Sequence, residues 1–264
     1  MSKLYEVVKA FFEKEKIEYF SPIEFKDCTI INASKLRDFC PKSAVMFLIP
    51  YKTGDYPERN VSLYSVSRDY HLYARELEER LKAFMENESA VFRTFCDSSP
   101  INERDAAIKA CLGVRGKNGL VINEKYGSFV FIGTLLTDGV FDKEEYSEVK
   151  NKAPECIGCR KCIDVCGYLS GKESTCFSEL TQRKKVSDDE LAAIKSDKIR
   201  WGCDRCQEVC PMNEAAKKTP IDFFYEDTIP FVTEEYILSA EDEKFCERAY
   251  SWRGKEVILR NIRG

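Results

Sequence analysis

The chain has 264 residues, 44% of them hydrophobic and 33% charged, with a net charge of −4, enough to bury the core of one large domain or two modest ones. That balance excludes a broadly basic nucleic-acid surface, though not a local patch, and no run of about eighteen apolar residues marks a membrane span. The opening stretch "MSKLYEVVKAFFEKEKIEYF" reads as an amphipathic helix with acids throughout, not as a signal or transit peptide; the expectation is a cytoplasmic globular protein without a membrane partner.

In chain order, residues 3 to 15 read as a helix and "SAVMFLIP" (43 to 50) as a buried strand. Residues 69 to 86 carry a long helical pattern with Leu72, Leu77, Leu81 and Phe84 on one face. A second strand, "AVFRTFCD" (90 to 97), a helix at 102 to 112 and a third strand, "GSFVFIGTLLTD" (127 to 138), follow. Strands alternating with helices indicate an α/β layer. Within it, "CLGVRGKNGL" (111 to 120) spaces glycines at 113, 116 and 119. No G-x-G-x-x-G joins a strand to a helix, and a phosphate loop would need glycine at 111 and Ser or Thr at 118. The loop is therefore either a plain turn or a place where backbone approaches a flat ligand closely. The charged stretch "DKEEYSEVKNKAPE" (142 to 155) reads as a linker.

The cysteines carry the strongest signal. There are 13, and in a reducing compartment they point to metal or redox use, because disulfides would not persist there. Cys156, Cys159, Cys162 and Cys166 form C-x2-C-x2-C-x3-C, followed by a lone Cys176 and by C-x2-C-x3-C-P at Cys203, Cys206, Cys210 and Pro211. In such runs three consecutive thiolates converge on one cubane while the fourth ligates the other cluster of a pair. The spacing therefore predicts two [4Fe-4S] clusters, one on Cys156, Cys159, Cys162 and Cys210, the other on Cys166, Cys176, Cys203 and Cys206. Zinc ribbons also use C-x2-C pairs, but two consecutive x2 spacings plus C-x3-C-P is a ferredoxin pattern. Gly167 stands where a ferredoxin run commonly has proline, which should alter the turn more than the ligation. Cys28, Cys40, Cys96, Cys111 and Cys246 read as small buried hydrophobes. The resulting α+β chain divides into an α/β domain at 1–145, a bacterial-ferredoxin-like double-cluster domain at 146–220 and a helical tail at 221–264.

Several segments, in order and spacing, resemble the epoxyqueuosine reductases: "NVSLYSVSRDYH" (60 to 71), "CDSSPINERDAAIKACLGVRGKNGLVI" (96 to 122), "GSFVFIGTLLTD", the eight-cysteine pattern, "CFSELTQRKK" (176 to 185) and "WGCDRCQEVCPMN" (201 to 213). The resemblance runs from about residue 40 to the C terminus. It implies a base-off cobalamin held between the α/β domain and the cluster domain, related to the arrangement in reductive dehalogenases. Electrons passing through the clusters would generate Co(I), which reduces an epoxide to an alkene in a modified tRNA base. An external low-potential electron donor and a monomeric state are implied as well.

By the same resemblance, Asp97 matches the family's proton donor. A carboxylic acid can protonate the departing oxygen if an apolar pocket raises its pKa, and Val91, Phe92 and Phe95 are expected to supply that pocket. The competing role for Asp97 is a helix N-cap, which Ser98 or Ser99 could equally fill. Arg104 matches a cofactor-contacting arginine, its alternative being a solvated helix-face charge. Tyr64 falls near the cobalt face, Gly116, Lys117 and Asn118 match the family's G-K-[HN] turn, and Ser178, Cys203 and Asp204 match positions lining the corrin beside the second cluster. His71 lacks the D-x-H-x-x-G context of a cobalt ligand and reads as a helix-start residue bonding locally, with Arg68, Asp69 and Tyr70 as shell and capping residues. Family members continue into a helical-repeat domain that helps hold the tRNA, whereas "WRGKEVILRNIRG" (252 to 264) resembles the junction alone, so a short form is expected. Its tail carries Arg248, Arg253, Lys255, Arg260 and Arg263 as phosphate-contact candidates. Two functions stay open at this point: a cobalamin-dependent reductase of epoxyqueuosine or of a smaller epoxide or halide, and an electron-transfer protein that reactivates a corrinoid or other redox partner.

Overall fold

The structure is a computed structural model and describes residues 2–146 and 155–263. Helix α1 (Lys3–Lys14) starts at Ser2, whose hydroxyl accepts from the Tyr5 amide, and buries Val8, Phe11 and Phe12. Strand β1 (Phe20–Glu24) follows, then β2 (Ser43–Pro50), α2 (Tyr70–Phe84), β3 (Phe92–Cys96) and α3 (Glu103–Lys109). A two-stranded hairpin, β4 (Val114–Arg115) and β5 (Val121–Ile122), precedes the last strand, β6 (Val130–Thr137). The main sheet has the order β1-β2-β6-β3, and every pairing in it is antiparallel. The helices therefore cover a meandering sheet, with no parallel crossover between neighbouring strands.

All eight residues of β2 are buried because both faces of the sheet are covered. Side chains alternate across a strand, so Val45, Phe47 and Ile49 join α1 and α2 in one core, while Ala44, Met46 and Leu48 join Ala106, Ala107 and Ile108 of α3 in another. This double burial explains why the strand reads as an uninterrupted apolar run. Strand β1 escaped the sequence reading because Pro22 interrupts it; proline is tolerated there since β1 is an edge strand.

The cysteine-bearing segment contains α4 (Lys161–Val165), α5 (Phe177–Gln182), α6 (Asp188–Ser196) and α7 (Arg205–Glu208) around a small core of Phe177, Leu180, Ile194 and Ile199. Beyond it, α8 (Glu234–Ser239), α9 (Asp242–Cys246) and α10 (Lys255–Ile262) pack about the fully buried Trp201 with Val61 and Val66. The tail is thus part of the body of the protein, and Ile221, Phe223 and Phe224 enter the first core. The expected linker at 142 to 155 falls, from 147 to 154, outside the described residues. No helix among the described residues is long and apolar enough to cross a membrane.

The five lone cysteines divide differently from expectation. Cys96 is buried and Cys28 half-buried, but Cys40, Cys111 and Cys246 are exposed; they sit at element ends and turns, where an apolar neighbour in sequence does not mean burial.

In the centre of the sheet Gly133 lies opposite Phe47 on one side and Cys96 on the other, and a Cβ at 133 would drive into the Phe47 ring. Gly133→Ala should therefore destabilise the fold by about 1–3 kcal/mol, the usual cost of overpacking, read as a lowered urea midpoint with an unchanged slope.

Candidate active site between the sheet and the cysteine segment

The thiols gather in two groups of four. Cys162 lies within electrostatic reach of Cys210, Cys156 and Cys159; Cys206 lies near Cys166 and Cys176, and Cys203 near Cys206 and Cys176. This is the crossed arrangement that the spacing predicts. Backbone geometry delivers the first group. Gly158 and Arg160 adopt left-handed conformations at φ 73° and 65°, coiling the run before α4 begins. Cys156 is placed by its amide, which donates to the Arg115 carbonyl at 3.1 Å, so the β4–β5 hairpin forms one wall of the group. Burial pushes the Cys203 and Cys206 thiols up to about 12, a cost that bound iron offsets by stabilising thiolates.

The cysteine segment is fastened to the core by buried polar contacts. Asp204 accepts the Leu63 amide at 2.6 Å, the Arg59 guanidinium at 3.2 Å and the Gln207 side-chain amide at 3.0 Å. Its burial raises the carboxyl pKa, and the Leu63 amide and Arg59 oppose that rise. The Trp201 carbonyl accepts from the Ser62 amide at 2.8 Å, and the Trp201 indole donates to the Tyr64 hydroxyl at 3.0 Å. On the other side, Asn213 accepts the Ser128 amide and donates to its hydroxyl, both at 2.8 Å.

Between these parts lies a cavity of about 920 Å³, at the upper end of the usual range for small-molecule and cofactor sites. The sheet contributes Phe47, Ile49, Thr94, Phe95 and Phe131, α2 contributes Tyr70, His71, Ala74, Arg75, Leu77 and Glu78, α5 contributes Ser178 and Gln182, and Trp252 closes the rim. One wall is flat, since the Tyr70 and Phe131 rings stack at 3.8 Å and 16°. The Thr94 hydroxyl is buried without a hydrogen-bond partner, a polar atom in the lining that awaits one.

Asp97 sits at the mouth, directly after β3, with a left-handed φ of 59°. The Tyr70 hydroxyl donates to its carboxylate, and burial together with that charge raises the Tyr70 pKa. Beneath the turn, Glu103 accepts the Thr134 hydroxyl at 3.0 Å and the Asp97 amide. Burial pushes its carboxyl up to about 7.

Of the expected site residues, Asp97, Tyr64 and Ser178 line the cavity. Asp97 does not act as a helix N-cap, a role taken by Asn102 for α3. Of its expected apolar neighbours, Phe95 lines the same cavity while Val91 is exposed, and the ring whose hydroxyl meets the carboxylate is Tyr70. Arg104 is exposed on α3 and donates to the Gly119 carbonyl at 3.1 Å, bracing the glycine turn outside the cavity lining. Gly116, Lys117 and Asn118 likewise border the first group of thiols, and Asn118 donates to Cys206. Cys203 and Asp204 lie behind the cavity wall, Asp204 as the anchor described above. His71 follows the reading: its ring and amide both engage Asp69 at 2.9 Å, and Asp69 caps α2. Tyr70 was read only as a shell or capping residue, and Glu103, Phe131 and Trp252 were not singled out, because only the folded chain brings them to Asp97 or to the rim.

The tail cations also depart from expectation. Arg248 is fully buried and donates to the carbonyls of Asp227 and Val66, both at 2.7 Å. Arg260 binds the Arg183 carbonyl, Lys255 pairs with Asp242, and Arg263 with Glu234. Arg253 lies 3.7 Å over the Trp252 ring, beside the cavity rim.

Residues 155–213 match the 4Fe-4S double cluster binding domain. An epoxyqueuosine reductase of Cyclobacterium marinum is 33% identical over 244 residues, covering 84% of this chain and 75% of the relative. One from Bacillus cereus is 30% identical over 217 residues, 75% of this chain but 54% of that relative, so the chain spans about half of its length. A solved epoxyqueuosine reductase with an epoxyqueuosine-modified tRNA-Tyr stem loop superposes with a TM-score of 0.75 at 22% identity, covering 98% of this chain and 80% of that one.

If the two fours hold two cubanes, Cys210→Ala should lower iron after anaerobic reconstitution from about eight to about four or fewer atoms per chain, whereas Cys40→Ser, Cys111→Ser and Cys246→Ser should leave it unchanged. Iron and sulfide analysis decides this.

Proposed function

Since the chain belongs to the epoxyqueuosine reductase family, we propose that it is a cobalamin- and iron–sulfur-dependent reductase converting epoxyqueuosine to queuosine in tRNA. The observation that carries this reading is the cavity itself, which has a carboxyl group at its mouth and the cysteine segment as its opposite wall.

The residues present fit a corrinoid. The Tyr70–Phe131 stack offers a flat apolar surface, Thr94 has an unused hydroxyl, and Ser178 stands two residues from Cys176. The histidine at the cavity, His71, is committed to Asp69. When bound, the corrinoid would supply a low-potential cobalt centre for the two-electron reduction of the epoxide. The eight thiols would hold the two cubanes, Cys166, Cys176, Cys203 and Cys206 one and Cys156, Cys159, Cys162 and Cys210 the other, with exposed Cys159 open to an external low-potential donor.

Overall, epoxide, two electrons and two protons give alkene and water. Asp97 delivers a proton to the departing oxygen, and the Tyr70 hydroxyl holds its carboxylate at the mouth. Gln182 donates to the Ser178 carbonyl at 2.9 Å, fixing the wall opposite. Because most tail cations are paired internally, the tRNA contact proposed here centres on the rim, where Trp252 is 58% exposed beneath Arg253; aromatic and guanidinium faces are the surfaces on which unstacked bases rest.

In an anaerobic assay on tRNA bearing epoxyqueuosine, Asp97→Asn should lower kcat by about 10²–10⁴-fold, the usual weight of general acid catalysis, with the visible spectrum of bound base-off cobalamin retained. Full turnover by Asp97→Asn, or a chain that takes up no cobalamin, would sink the reading.

A further inference from the structure

The turn that carries Asp97 is held unevenly. Its far end is fixed: the Pro100 carbonyl accepts the amides of Ile31 and Asn32 at 2.8 and 3.0 Å, and the Asn102 amide donates to Thr29 at 2.9 Å. Its near end is the strained one, because Asp97 is a non-glycine residue at φ 59°. Besides Tyr70 on its carboxylate, two side chains reach its backbone. Lys35 donates to the Ser98 carbonyl at 2.6 Å, and the Glu103 carboxyl, anchored on β6 through Thr134, takes the Asp97 amide. Glu103 does not touch the cavity, so it has no direct access to a bound substrate.

We propose that Glu103 is a positioning residue for Asp97: gripping the Asp97 amide and the Thr134 hydroxyl, it keeps the Asp97 side chain turned to Tyr70 and the cavity, and without that grip the acid leaves an otherwise intact site. This rests on the reading of Asp97 as the proton donor. A buried carboxylate is an unusual choice for a purely mechanical tie. The groups facing it are Asp97 on the turn, Cys96 on β3, Thr134 on β6 and Lys35 on the segment after β1, and only Lys35 is a cation. Burial is the largest cause of the rise to about 7, with Asp97 adding to it and Lys35 opposing it. The sign follows. The protonated form is the one the fold favours, so its stabilising contribution is complete below the ordinary value of 4.5 and is lost as pH rises through about 7. Over the same interval the carboxylate becomes the stronger acceptor for the Asp97 amide. The grip is therefore tightest where the fold gains least from Glu103, as in other sites that trade stability for placement.

The test uses the full chain with Glu103→Ala and Glu103→Gln. Hydrogen exchange on the cobalamin-free protein should show the Asp97–Ser98 amides of Glu103→Ala exchanging at least about tenfold faster, with α1, α2 and β2 unchanged. On modified tRNA, the same variant should lose at least about tenfold in kcat with KM and cobalamin binding near wild type. Glu103→Gln should melt at a higher temperature than wild type at pH 8 but not at pH 4, and its kcat profile should lack a step near 7 present in wild type. Unchanged exchange at Asp97 in Glu103→Ala, or the same step in Glu103→Gln, overturns the proposal. Asp97→Asn is the control for the underlying reading: if it keeps full turnover, the proton-donor role fails, while the exchange measurement still decides whether Glu103 holds the turn.

Discussion

The arrangement depends on one carboxylate removed from water. Asp204 lies between cysteines 203 and 206 and its side chain is 2% exposed, yet it binds the backbone of Leu63, one residue from cavity-lining Tyr64. This buried anchor, with the Trp201 and Asn213 contacts, therefore sets the distance between the thiols and the cavity wall. Losing one partner of such a buried pair typically costs about 3–5 kcal/mol because the other charge is left uncompensated. The Arg59 guanidinium also meets Glu208, which carries the anchor into α7. The electron transfer proposed across this boundary would need fixed spacing more than strong binding, and a charge-assisted knot in a dry environment supplies it.

The two acids near the cavity have different surroundings, and this divides their roles. Asp97 is exposed at the mouth with a tyrosine hydroxyl on its carboxylate, whereas Glu103 is screened from solvent under the same turn. Neighbouring carboxyl groups with contrasting environments are a common basis for dividing proton chemistry from support. The flat Tyr70–Phe131 wall is likewise prebuilt, since Phe131 is fixed by its pairing with Ile49 in the sheet.

Much of this was legible in the sequence where covalent or periodic constraints act. The strand 43–50 was read with its observed bounds because double burial leaves an apolar run, and the thiol grouping because cubane ligation imposes spacing. Side-chain company across distant segments was not legible. Tyr70 meets Asp97 across 27 residues, and Glu103 meets Thr134 across 31; neither separation leaves a local pattern. The basic tail misled for a related reason. Charge in a sequence does not reveal its partners, and Arg248, Arg260 and Lys255 spend theirs on internal carbonyls and on Asp242. The glycine turn at 116–119 was seen as special for its backbone, but its neighbours proved to be thiols.

The lacing of the cysteines bears on how the protein matures. Because Cys210 joins the group that begins at Cys156, while Cys166, Cys176 and Cys206 of the other group all fall between Cys162 and Cys210, the loop closed by the first inorganic core encloses the ligands of the second. Neither core has its full ligand set until the chain has been synthesised past residue 206, so loading is coupled to the folding of the whole segment, and the outer core cannot be closed without looping over the ligands of the inner one.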